Sequence, residues 1–330
     1  MEQLTPLSPP PYAGFIRKHF SRIGFAMLVL YGAPNIVALI FGMIAALLSM
    51  FSGSGAFLTE PWVLVLLSTL PIYLIGIPLA YLILRPMPKA RVWQNNLSFG
   101  NLLALFAICI FLMYAGSLAS QLLMSLANLL LPVAAENPLD SVFAIPLVPT
   151  FVIVVVLAPI FEELFFRKWL LDRIAQYGTL PAILISGITF GLFHGNLYQI
   201  VYATLLGCVF AYVYLTSGKV WPCIVLHALV NFFGGFLGML LLPLGEAATL
   251  AFGAVLLAIS AAGLIFFIIK VRKVKELQKA SVPRLGKLAF GNVGMILYLV
   301  LMGLVILLFL LAPTLTHWLE QFSARLQSLY

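Results

Sequence analysis

The chain has 330 residues, of which 63% are hydrophobic and 8% charged, with a net charge of +8. Soluble domains are about 45–50% apolar, so this composition excludes a water-soluble protein. Apolar runs of about twenty residues recur, without the ten-residue alternation of a membrane barrel, and predict an all-α transmembrane bundle of about eight or nine spans. The basic excess sits in a few short loops, which assigns it to topology and anionic lipid rather than to nucleic acid.

Residues 1–22 read as a cytosolic tail, proline-rich at Pro9-Pro10-Pro11-Tyr12, with Arg17, Lys18, His19 and Arg22 ahead of the first span. No cleavable signal sequence is expected, because the first apolar run is too long for one and no small-residue cleavage site follows it. The N-terminal transmembrane helices fill 23–140, with spans near 23–51, 62–84 and 98–131. The third is longer than a bilayer requires and is expected to be tilted or broken near Gly116. Core helices occupy 141–245. The first of these ends at Phe166 in a basic loop carrying Arg167, Lys168 and Arg173, and the stretch 180–216 breaks near His194-Gly195-Asn196. C-terminal spans cover 246–312, around a basic loop at 270–287. The remainder, 313–330, could lie as an interfacial helix with Leu315, Trp318, Leu319, Phe322, Leu326 and Leu329 on one face.

Loop charges alternate between basic and acidic along the chain. The positive-inside rule then puts the N-terminus in the cytosol. Cys109, Cys208 and Cys223 all fall in apolar segments without ligand spacing, and read as small buried hydrophobes rather than disulfide or zinc sites.

Three clusters break the apolar pattern. The first is Glu162-Glu163-Leu164-Phe165-Phe166-Arg167. An ionisable group at mid-membrane costs roughly 2.5–3.5 kcal/mol on insertion scales, so such groups mark function. Glu163 and Arg167 are four apart and share a helix face, whereas Glu162 is turned about 100° away. This spacing admits two readings: one carboxylate tied to arginine with its neighbour free to serve as a base, or an interfacial ion pair snorkelling to the cytosol. Pro159, three residues earlier, predicts a kink just ahead of the pair. The second cluster runs from Phe190 to His194, beside a stripe of Gly187, Gly191 and Gly195 along which another helix can approach. The third is His227 and Asn231, an i, i+4 pair able to stabilise a developing oxyanion or simply to join two helices. His19 and His317 lie in flanking segments and read as surface residues.

In these three motifs, E-E-x-x-x-R, F-x-x-x-H and H-x-x-x-N, the sequence resembles the CAAX-processing and bacteriocin-processing family of intramembrane proteases. The resemblance covers about 140–245. It implies a glutamate-dependent endopeptidase acting near the cytosolic face of a cell membrane. Glu162 would activate water with help from His194, His227 and Asn231 would form the oxyanion hole, and Glu163 and Arg167 would support the helix behind them. The family is often described as metal-type. Glu162, His194 and His227 could in principle bind zinc, but with no H-E-x-x-H motif and Asn231 as fourth group the reading here is catalysis without metal or other cofactor. The partners it implies are the bilayer and a peptide or protein substrate, prenylated in one branch of the family.

Two other classes compete. A proton-coupled secondary transporter would use the same residues as a relay, yet the intramembrane ionisable groups crowd into one third of the chain, without the paired repeats transporters show. A catalytically silent immunity or scaffold protein would keep the fold alone. The protease reading also carries a geometric demand. Glu162 is read near the cytosolic end of its span, and His194 lies about 20 Å along its helix from Pro181 at 1.5 Å per residue. The two meet only if the Glu162 helix extends further toward the cytosol or the His194 helix starts deep, around a cavity open to the cytosol.

Overall fold

Backbone N–H and C=O groups in hydrocarbon must be satisfied within the segment, and long apolar runs therefore fold as helices. The computed structural model describes residues 12–52, 60–90, 92, 94–143, 145–276, 282 and 284–328, and among them there is no strand. The Pro9–Tyr12 string, except for Tyr12, and part of the 270–287 loop lie outside these residues. Among the described residues nine principal helices follow one another: α1 (Tyr12–Ser52), α2 (61–84), α3 (Phe99–Asn128), α4 (Leu147–Tyr177), α5 (Thr179–Phe193), α6 (Leu197–Ser217), α7 (Trp221–Leu244), α8 (Glu246–Glu276) and α9 (Val293–Gln327). Eight of them are long and apolar enough to cross a bilayer, and α5, with 15 residues, is not. The chain is a multi-pass membrane protein.

Packing centres on α6, which lies against α5 on one side and α3 on the other. In turn α8 covers α3, while α2 and α9 pack on α1. The glycine stripe explains the α5–α6 contact. A Cβ on Gly191 would meet the Thr204 hydroxyl and stand 2.6 Å from the Ile200 carbonyl oxygen, so only hydrogen fits at that crossing. Gly191→Ala is expected to destabilise the protein by about 1–3 kcal/mol through overpacking. The check is a detergent unfolding titration, and a change below about 0.5 kcal/mol would contradict this packing.

The structure corrects several sequence expectations. There is no break at Gly116. Helix α3 is continuous, and that glycine instead lets the backbone of Tyr202 approach, its missing Cβ lying 2.6 Å from the Tyr202 Cα. The segment 167–173 is not a loop. Helix α4 runs on to Tyr177, with Arg167, Asp172 and Arg173 all buried. Those charges could go inside because each finds a partner beyond local sequence. The Arg173 Nε donates to the Leu84 carbonyl at 2.6 Å, the Tyr214 hydroxyl donates to Asp172 Oδ1 at 2.6 Å, and Lys168 pairs with the same carboxylate at 3.4 Å. His19 is buried too, its ring edge-on to Tyr177 at 5.3 Å. The segment after 312 is not a separate helix but the continuation of α9 through Pro313.

The longer α4 moves Glu162 away from the end of its helix. Gly178, at φ +118°, turns the chain directly from α4 into α5. Glu162 stands fifteen residues before Tyr177, and His194 fifteen residues after Thr179. In an antiparallel pair both therefore lie about 22 Å from the shared turn. They sit at one level.

Candidate active site

Helix α4 presents the two carboxylates in opposite circumstances. Pro159 cannot donate to the carbonyl four residues back, and the turns ahead of it, over Phe151–Leu157, are widened to i→i+5, as are those over Leu164–Leu171. Between them lies the ordinary helical segment Ala158–Glu163 that ends in the acidic pair. Glu163 is fully buried and fully engaged. Its Oε2 accepts from Arg167 Nε at 2.7 Å, and its Oε1 accepts from His227 Nδ1 at 3.0 Å. Arg167, equally buried, also donates from Nη1 to the Ser186 hydroxyl at 2.7 Å and lies 4.9 Å from the centre of the Phe190 ring. The charges of this pair neutralise each other inside the bundle, and both Glu163 carboxylate oxygens accept hydrogen bonds.

Glu162 is left over. Its Oε2 is buried with no hydrogen-bond partner among the described residues, and the nearest basic atom is His227 Nε2 at 4.0 Å. The hydrogen-bond partners fix the proton positions on both histidines. The carbonyl of Phe190 can only accept, so His194 carries its proton on Nδ1, 2.9 Å away, and exposes an Nε2 lone pair. The Glu163 carboxylate likewise holds the His227 proton on Nδ1. In the neutral ring Nε2 is then an acceptor facing Glu162. His227 is held flat against Phe210, with centroids 5.2 Å apart, and both histidines flank Phe190, at 5.1 Å for His194 and 5.8 Å for His227.

The six residues singled out by sequence are thus brought together unequally. Glu162, Glu163, Arg167 and His227 form one contact network. His194 joins it across the Phe190 ring, without a hydrogen bond to either carboxylate. Asn231 is turned toward α4, donating from Nδ2 to the Val154 carbonyl at 2.8 Å, and keeps its second amide proton. Among the described residues no three His, Cys, Asp or Glu side chains stand close enough together to hold a metal ion. Ser186 was missed by the sequence reading, although its spacing was visible. Ser186, Phe190 and His194 fall four apart on one face of α5.

A half-buried glutamate facing one imidazole, with a second imidazole across the Phe190 ring and a neutralised Glu–Arg pair behind it, defines a class: a multi-pass membrane protein with a cluster of ionisable side chains inside its helices. The chain's own kinship is narrower. Residues 144–233 match the family described as type II CAAX prenyl endopeptidase Rce1-like. A similar protein is "Putative membrane peptidase YdiL" of Bacillus subtilis (strain 168), 31% identical over 96 residues, or 29% of this chain and 38% of that protein's length. No solved structure matches. The likeness is confined to this segment, and the chain spans 38% of that relative's length.

Proposed function

We propose that the protein is an intramembrane endopeptidase that hydrolyses a peptide bond near the cytosolic membrane face, with the N-terminus on that side. The observation that supports this most directly is the unpartnered Glu162 Oε2 opposite His227 Nε2. A water bound there would lose its proton to the Glu162 carboxylate while its oxygen adds to the substrate carbonyl carbon. His194, with its Nε2 lone pair exposed, helps to hold that water. The carbonyl oxygen, turned negative, is met by the spare Asn231 amide proton and by His227 where that ring enters the cycle already protonated from solvent on both nitrogens, so that Nε2–H donates and the water's proton passes only through Glu162. The proton on Glu162 passes to the departing amide nitrogen, and the C–N bond breaks. Glu163 and Arg167 touch no reacting atom in this scheme. They fix the tautomer of His227 and hold α4 against α5 through Ser186. No step is routed through a metal.

The test is hydrolysis of a quenched-fluorescence peptide library by the purified protein in detergent. Activity is expected in the wild type, with a loss of about 10²-fold or more in His194→Ala. Proton-coupled solute uptake into liposomes without any hydrolysis would replace this reading with a transporter. Neither activity would leave a silent member of the family.

A further inference from the structure

The scheme above uses His227 as a cation, and a cation away from water is costly unless its surroundings replace the lost hydration. The two carboxylates reach only its nitrogens: Glu163 takes the Nδ1 proton at 3.0 Å, and Glu162 stands 4.0 Å from Nε2. The face of the imidazole is covered by Phe210, with ring centroids 5.2 Å apart and the planes inclined by 22°. A phenyl face within about 6 Å attracts a cation electrostatically, whereas it holds a neutral imidazole by packing alone.

Two features of α6 put the Phe210 ring there. Gly207, three residues earlier, meets α5 so closely that its missing Cβ would stand 3.0 Å from the Gly187 Cα and 3.1 Å from the Phe190 Cβ. Toward α7, the Cys223 thiol donates to the Phe210 carbonyl at 3.3 Å, and Cys223 lies four residues before His227 on the same face. Successive turns of α7 are thus pinned to one fully buried residue of α6, the first at its backbone and the second at its ring. The same phenyl ring meets a second cation. The Arg167 guanidinium carbon lies 5.7 Å from its centre, and 4.9 Å from that of Phe190. With His227 as imidazolium, the cluster sets two cations, His227 and Arg167, against the carboxylates of Glu162 and Glu163.

Resting on the protease reading above, we propose that Phe210 is a positioning residue for His227: its face holds the imidazole in the plane that keeps Nδ1 on Glu163 and Nε2 toward Glu162, and it favours the imidazolium form that donates to the oxyanion. No bond is made or broken at Phe210, and no proton passes through it.

Phe210→Leu would leave a cavity in the core, so the test changes only the electrons of the ring. Mono-, di- and trifluorophenylalanine are placed at position 210 of the full chain by nonsense suppression, each added fluorine drawing charge from the π face with little change of shape. Turnover of the same peptides is then measured on the purified proteins in detergent. kcat is expected to fall stepwise with the number of fluorines, about tenfold for the trifluoro ring, with KM within about twofold. Arg167 is a cation in every state, so its weakened contact lowers the unfolding midpoint without entering the stepwise loss of turnover. The same series at Phe111, which packs on Phe267 of α8 at 6.0 Å between centroids, should leave turnover unchanged. Turnover within about twofold of wild type across the Phe210 series would overturn this inference alone and leave the protease reading in place. An equal loss in the Phe111 series would do the same, because fluorine in the core, not the cation, would then be the cause. No hydrolysis of any peptide by the unmodified protein would overturn both.

Discussion

Glu162→Gln is expected to lower peptide hydrolysis about 10³-fold while leaving the fold intact. The size follows from what is removed. A positioned general base contributes about 10²–10⁴-fold, and glutamine keeps the volume and the polar end of the side chain while losing the ability to take a proton. The fold should tolerate the change because Glu162 Oε2 makes no hydrogen bond that the substitution would break. Glu163→Gln supplies the contrast. That carboxylate binds Arg167 and His227 and touches no reacting atom in the proposed scheme, so its loss should appear chiefly as instability. Initial rates measured beside unfolding midpoints separate the two glutamates. If Glu162→Gln retained more than about a tenth of wild-type turnover, the assignment of the base would be wrong.

The second large effect concerns stability. Arg167→Met should destabilise the protein by about 3–5 kcal/mol, the usual cost of stripping one partner from a buried ion pair. Both members are fully buried, and the Glu163 carboxylate would keep only the His227 Nδ1–H as donor. Adding Glu163→Gln to Arg167→Met should recover a good part of the loss, because no uncompensated charge then remains in the bundle. Reversible unfolding in mixed detergent micelles measures both. A loss below about 1 kcal/mol for Arg167→Met would show that water reaches the pair.

The same pair shows why the structure was partly legible in the residues. The i, i+4 spacing of Glu163 and Arg167 requires a shared helix face, and the fold honours it with a 2.7 Å contact. The glycine stripe on α5 likewise anticipated a close helix crossing, here with α6. What misled was charge read as exposure. Arg167, Arg173 and His19 all looked like a membrane-edge loop or surface, yet all are buried: a carboxylate one turn away receives Arg167, a carbonyl on α2 receives Arg173, and the His19 ring packs edge-on to Tyr177. Each local pattern was compatible with a solvated side chain, and no local pattern names a partner many residues distant.

Hydrophobic content and the spacing of its polar interruptions were enough to dictate a helical membrane bundle and to pick out Glu162, Glu163, Arg167, His194, His227 and Asn231. Lipid leaves the backbone no alternative to helix, and each ionisable group in it needs a reason. Which glutamate is left without a partner and which imidazole nitrogen carries a proton came only from the packed helices. Those properties belong to pairs of groups on different helices, and distance between helices is not encoded in either one.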